Sequence, residues 1–354
     1  MSTSGTSPGR TDEGGTAKIS ADVYNEILTF DTLFPGTSMT CWGIEGDRVN
    51  RALGESLADP GEPACKPPFP GPQPLSIDSS HFCMFQPGRY LVATKHDGVR
   101  SCLFFIDIDD RHIVCLFDRK METAHLIYLQ NVPRAFCQGH GTVLDGELIH
   151  DSVSESWTFV VFDCIMLASL PKFHKPFRER LRVVRAALEL AYRPDPTDTL
   201  KLVVKTFVPL EQADPVTLAG DARFQTDGFI FMPNAEAIRF GHHDTFFKLK
   251  TCHSVDLLYR RTGLFIYNQR TRRYVKAGVL ADTRQQVPLQ EGSIVECVLD
   301  RYDRVPSKTS WRLLHVRHDK NKSNTLFVME KTLLNVRENL SFETIKALVT
   351  AGSS

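Results

Sequence analysis

Short apolar runs closed by acid–glycine pairs or other turn residues fill residues 90–250, and they constrain the fold more than anything else in the chain. Tyr90–Ala93, Cys102–Ile106, Ile113–Phe117, Thr142–Ile149, Trp157–Phe162, Leu202–Phe207, Gly228–Met232 and Thr245–Leu249 have strand length and many β-branched or aromatic residues. One segment breaks the pattern. Within Pro176–Tyr192 the residues Phe177, Leu181, Val184, Ala187 and Leu188 recur at helical spacing. Strands in series with a single helix imply an α+β domain with mostly antiparallel sheets. A second block, Leu264–Tyr267, Tyr274–Leu280, Ser293–Leu299 and Trp311–Arg317, has turns at short intervals, as in a small barrel. The chain then reads as helical at Ser341–Thr350.

Composition sets the outer bounds. A chain of 354 residues holds two domains, and 42 Lys+Arg against 42 Asp+Glu leave no net charge, so any basic surface is local. Nine cysteines without a CxxC pair suggest reduced thiols in an intracellular protein. No stretch reaches the ~18 consecutive apolar residues of a membrane span, and the Ser/Gly/Thr-rich start is no secretory signal. Residues 1–20 are expected to be a disordered tail. Ala21–Phe34 has helical content, and Leu53–Pro74 is a Pro/Gly-rich, extended lead-in.

Several strings carry potential chemistry, each with a plainer alternative. Lys95-His-Asp97-Gly98-Val-Arg100 places a lysine at a strand end before a tight turn, which suits an amine that attacks phosphorus; most such strings are ordinary turns. Asp145-Gly146-Glu147 brackets a glycine with two acids, with Glu147 offering a hard oxygen ligand for a divalent cation beside a phosphate, or both being solvated acids at a hairpin. Phe162-Asp163 ends an apolar strand, its ring serving either the core or a nucleobase. Asp227-Gly228 repeats the acid–glycine pattern. Lys248 and Lys250 share a strand face, and two like charges side by side are stable only with an anion between them or at a solvated edge. Cations also concentrate in Trp311–Lys320, and a basic cluster, Arg270-Thr-Arg272-Arg273, marks a hairpin tip.

Taken in order, Lys95-x-Asp97-Gly98-x-Arg100, Asp145-Gly146-Glu147, Phe162-Asp163, Asp227-Gly228-x-Ile230, Lys248-x-Lys250 and Arg317-x-Asp319-Lys320 resemble the signature of covalent nucleotidyltransferases, the superfamily of DNA ligases, RNA ligases and mRNA capping enzymes. Further strings resemble the capping branch: Phe69-Pro-Gly-Pro-Gln-Pro-Leu-Ser76, Asp118-Arg119, Ser254-Val-Asp256-Leu257, and Ile294-Val-Glu296 with Trp311-x3-His315-x-Arg317. The likeness covers about residues 69–350. Two positions depart from it: His315 stands where an arginine is usual, and Leu249 stands where a tryptophan is usual and should face away from the phosphate.

The resemblance implies a nucleotidyltransferase domain (69–251), an OB-fold barrel (252–324) and a C-terminal helical segment (325–354) packing back on the first domain, after an extension (21–68) of unassigned role. It implies that Lys95 attacks GTP to give a lysyl-GMP phosphoramidate, and that the 5′-diphosphate end of RNA then takes the GMP to make a GpppN cap. Arg100, Arg119, Phe162, Lys205, Lys248, Lys250, Arg317, Asp319 and Lys320 would bind GTP, and Glu147 and Asp227 would bind Mg2+ or Mn2+. It further implies a nuclear protein working with a separate RNA triphosphatase, a separate cap methyltransferase and RNA polymerase II. The alternatives are an ATP-dependent polynucleotide ligase, disfavoured by the short stretch before the motifs, and a catalytically silent RNA-binding module.

Overall fold

The computed structural model describes residues 38–40 and 69–350, apart from 109–110, 120–122, 152–153, 220–223, 240, 282–288 and 319. The expected tail, the 21–68 extension except Ser38–Thr40, and Asp319 lie outside the described residues. In chain order the strands are β1 (Ser38–Thr40), β2 (Pro72–Ser76), β3 (Tyr90–His96), β4 (Val99–Ile108), β5 (Arg111–Phe117), β6 (Thr123–Leu126), β7 (Thr142–Asp151), β8 (Ser156–Leu167), β9 (Leu170–Pro171), β10 (Lys201–Val204), β11 (Val208–Pro209), β12 (Thr226–Pro233), β13 (Gly241–Lys250), β14 (Ser254–Arg260), β15 (Gly263–Asn268), β16 (Arg273–Leu280), β17 (Ile294–Arg301) and β18 (Ser310–Val316). The first thirteen make two sheets. The larger runs β1-β6-β5-β4-β7-β8-β10 with β9 beside β8, and the smaller runs β11-β3-β12-β13-β2. Pairing in both is antiparallel except for β10 on β8 and β2 on β13. The last five strands close into a barrel in the order β14-β15-β16-β18-β17, with β17 paired back onto β14.

The larger sheet is covered on one face by the helix Phe177–Ala191, whose Val184 and Leu188 pack with Phe159, Val161 and Leu202. A buried ion pair fixes this helix in place. Arg180 donates from Nε to Asp163 Oδ1 at 2.7 Å and from Nη2 to Asp163 Oδ2 at 2.8 Å. The smaller sheet buries Tyr90, Phe231 and Phe247 against Phe342, Ile345 and Val349 of a C-terminal helix, Phe342–Thr350. A preceding helix, Leu326–Glu338, spans two bodies. Its Met329 lies in the barrel core, while Asn335 donates to Ile77 O and Glu338 accepts from Ser79 next to the smaller sheet. No helix among the described residues is long and apolar enough to cross a membrane.

The Asp97-Gly98 turn does not make a hairpin. β3 pairs with β11 and β12 in the smaller sheet, whereas β4 pairs with β5 and β7 in the larger one. The turn therefore carries the chain from one sheet to the other. Glycine is required at 98 because a Cβ there would stand 2.6 Å from Leu148 O and 2.9 Å from Glu147 Cγ. The close approach of the two sheets at this crossing places the end of β3 beside β7.

Candidate active site

Lys95 lies near the end of β3 and faces Asp227, its Nζ 2.8 Å from Asp227 Oδ1. Asp227 reaches it because β12 bulges at that residue: Thr226 pairs with His96 and Gly228 with Lys95, so Asp227 is the extra residue. An inserted residue re-aims its side chain. Gly228 permits the bulge, with φ of 139° and no room for a Cβ against the Leu249 carbonyl. The second oxygen of Asp227 lies 3.1 Å from Lys250 Nζ on the neighbouring strand β13. Period-two alternation there puts Lys248 and Lys250 on one face, while Phe247 and Leu249 turn into the core. Leu249 thus points away from the lysines.

Across the sheet crossing, Glu147 on β7 accepts from Gly98 N at 3.3 Å. Burial raises its pKa, and the charges of Lys205 and Lys95 oppose that rise while Asp227 adds to it. Lys205 is buried just past the end of β10, 3.2 Å from His96 Nδ1. Its pKa is lowered to about 8, chiefly by loss of water, with Lys95 contributing and Glu147 opposing. Lys248 is also lowered to about 8, by burial first and then by Lys250, Lys95 and Arg119. The structure therefore gathers Lys95, Glu147, Lys205, Asp227, Lys248 and Lys250 into one electrostatically coupled group.

Arg100 stands beside this group in a clasp. It donates to Asp145 Oδ1 at 3.1 Å, to Asp145 Oδ2 at 2.6 Å and to Pro72 O at 2.7 Å. Its guanidinium lies 5.0 Å over the Phe69 ring and 5.2 Å over the Phe162 ring. Phe162 is half-buried in a run of buried neighbours because β8 bulges there, Asp145 pairing with Asp163 and Gly146 with Val161. Arg119 is exposed and donates to Gln73 Oε1 at 3.0 Å.

Arg317 and Lys320 belong to a second group, on the barrel. Arg317 Nη1 is 3.1 Å from both Asp256 Oδ1 and Glu296 Oε2, and Lys320 pairs with Asp256. His315 Nε2 is 3.3 Å from Glu296 Oε2. Sequence reading quoted Asp145, Asp256 and Glu296 within motifs and gave them no role, yet they hold the cations. No spacing in the sequence marked them: Asp145 pairs with Cys102 across β4 and β7, diagonal to Arg100, and Asp256 and Glu296 pair with each other across the barrel's closing seam. His96 and Arg180 carried no motif and were missed.

A family model described as mRNA capping enzyme, catalytic domain, matches residues 47–252, and one described as mRNA capping enzyme, C-terminal domain, matches residues 233–346. The chain belongs to the mRNA capping enzyme family. It is a nucleotidyltransferase, an mRNA guanylyltransferase. Among related capping enzymes, the mRNA-capping enzyme subunit alpha of Schizosaccharomyces pombe is 24% identical over 329 residues, covering 78% of this chain and 78% of the relative. The subunit alpha of Neurospora crassa is 24% identical over 349 residues, covering 80% and 85%. The mRNA-capping enzyme of Caenorhabditis elegans is 23% identical, and the match covers 75% of this chain and 46% of that protein. Among solved structures, mycobacterial DNA ligase D complexed with ATP and MES aligns with a TM-score of 0.39 at 13% identity, covering 70% of this chain and 94% of that one.

Proposed function

We propose that Lys95 is the residue this capping-family chain uses to carry GMP from GTP to the 5′-diphosphate end of RNA. The observation that carries this reading is one amine at a strand end, 2.8 Å from a carboxylate and ringed by Lys205, Lys248 and Lys250. In the first step Lys95 Nζ forms a bond to the α-phosphorus, the bond to pyrophosphate breaks, and the amine loses a proton. Asp227 is within proton-accepting reach. In the second step an oxygen of the RNA diphosphate bonds to the same phosphorus, the P–N bond breaks, and the lysine regains a proton. Phosphoryl transfer of this kind depends on positioning and charge neutralisation. Lys248 and Lys250 suit the α-phosphate, since an anion between them removes their mutual repulsion. Arg100 is held by Asp145 and stacked on Phe162, so it orients that ring as a platform for guanine, with the buried Lys205 and the exposed Arg119 as further cations for the nucleotide.

Glu147 and Asp227 fit a divalent cation. They are neighbouring oxygen donors, and Asp227 Oδ1 is buried without a well-angled hydrogen bond among the described residues. Mg2+ or Mn2+ favours one or two carboxylates plus substrate phosphates and would neutralise charge on the transferring group. The barrel's strand order, closing last strand to first, supports its reading as an OB fold. Arg317, Asp319 and Lys320 would then serve the outer phosphates of GTP. A nuclear site of action, with a triphosphatase, a methyltransferase and RNA polymerase II as partners, completes the proposal.

The test is covalent labelling. Incubation with α-labelled GTP and Mg2+ or Mn2+, then a denaturing gel, should give a labelled band that Lys95→Ala abolishes. Label surviving in Lys95→Ala, or preference for ATP over GTP, would overturn the reading.

A further inference from the structure

We propose that the outer face of the β15–β16 hairpin, together with Arg260 at the end of β14, docks the single-stranded RNA that trails behind the 5′ end held at Lys95. The proposal rests on the reading above only for the identity of the polymer. Between Asp256 and Asp282 the chain carries six cations, Arg260, Arg261, Arg270, Arg272, Arg273 and Lys276, and no carboxylate, in a protein with no net charge. Register turns that run into a surface. Leu264, Ile266, Val275 and Ala277 pack into the barrel core, while Phe265 pairs with Lys276 and Tyr267 with Tyr274 on the opposite face. Arg260 Cζ lies 5.0 Å over the Phe265 ring and 5.8 Å over the Tyr274 ring, and Tyr267 and Tyr274 are 5.5 Å apart at 64°. Among the described residues no carboxylate pairs with Arg260, Arg270, Arg272, Arg273 or Lys276, whereas Arg261 meets Glu291 at 3.3 Å.

Cations without acidic partners, interleaved with aromatic rings, match what a single strand offers: phosphates for the cations and base faces for the rings and the guanidinium plane. An acidic peptide would use the cations and leave three rings without a role. A duplex keeps its bases stacked on one another and has no use for the rings either. Placement agrees. Val255, Leu257 and Tyr259 of β14 face the barrel core, so Asp256 and Arg260 share its outer side. Asp256 holds Arg317 and Lys320, and four residues of strand set Arg260 about 13 Å further along. The hairpin therefore lies within reach of a strand of RNA that passes the Arg317–Lys320 group.

Two variants test this, a charge reversal at the exposed hairpin tip, Arg272→Glu with Arg273→Glu, and Tyr274→Ala. Each is measured for labelling by α-labelled GTP without RNA, for binding of a fluorescent single-stranded RNA across salt concentrations, and for the KM of GMP transfer to long and to dinucleotide-length diphosphate RNA. Labelling should be unchanged. The charge reversal should weaken RNA binding roughly tenfold or more and flatten its salt dependence. Tyr274→Ala should weaken binding by a similar factor, the size of one lost base stack, with the salt dependence kept. The KM should rise for long RNA and stay constant for the dinucleotide. RNA binding equal to wild type in both variants would overturn the proposal. So would retained RNA binding with lost affinity for an acidic phosphopeptide, which would assign the face to a protein partner. Wild-type protein that fails to label with GTP would count against the proposed function instead, because labelling needs no RNA.

Discussion

Lys205 is buried and Lys248 half-buried, and the pKa values of both amines fall from 10.5 to about 8. Their charged forms are costly in the folded protein, and the sign of the pH effect follows. Between about pH 8 and 10.5 the unfolded chain binds more protons on these lysines than the folded chain does, so stability rises with pH in that window. Lys205→Met with Lys248→Met should remove that part of the rise, read as a smaller gain in urea midpoint between pH 7.5 and 9.5 than wild type shows. A triphosphate bound there as proposed would offset the same cost. Gly228 is the other decisive residue, since its φ of 139° sets the bulge that aims Asp227 at Lys95. Gly228→Ala should lower stability by more than about 1 kcal/mol in chemical denaturation, and should reduce covalent labelling per folded molecule.

At the scale of elements, burial and pairing decide what a motif does. The Phe-Asp string separates into two jobs: Phe162 is turned toward the site by a bulge, while Asp163 goes to the core and holds Arg180 of the helix. Arg180→Leu leaves a buried carboxylate without its partner and should cost about 3–5 kcal/mol in urea denaturation, and Asp163→Leu added to it should restore part of the loss. The helix at Pro176–Tyr192 and the strands with alternating or continuous apolar residues were legible in the sequence because period and turn residues agree there. The strand expected at Leu202–Phe207 ends instead at Val204; Lys205 still donates from its backbone N to Val161 O at 2.7 Å while its side chain is buried beside His96, and Val208–Pro209 joins the other sheet. Which sheet a strand joins was not legible, because an acid–glycine turn is equally compatible with a hairpin and with a crossing. The C-terminal segment expected to be helical from 325 on, with its helix at Ser341–Thr350, is two helices. Leu326–Glu338 hides its period because it buries Asn335 and exposes Phe327 and Val328. The order of the motifs along the chain picked out residues that the fold brings together, but not the acids that hold the cations among them, since those pairings arise only when strands far apart in sequence meet.

For the whole molecule, the residues proposed to bind GTP fall on two bodies, the paired sheets with Lys95 and the barrel with Arg317 and Lys320. If the barrel group meets the outer phosphates only while pyrophosphate is leaving, Arg317→Ala should suppress enzyme–GMP formation more than GMP transfer from a preformed adduct. Equal losses in single-turnover assays of the two steps would contradict that division. On the proposed assignment the acids Asp256 and Glu296, which hold these cations, would compete with nucleotide, so Glu296→Gln should raise apparent GTP affinity in labelling titrations. The helix Leu326–Glu338 adds a constraint of its own. The barrel is pinned to the paired sheets twice, once where β13 runs into β14 and once through this helix by way of Asn335, Glu338 and Lys331. A rigid object fixed at two points retains a single axis of rotation. Any swing of the barrel toward the lysine would be confined to that axis, like a gate on two hinges.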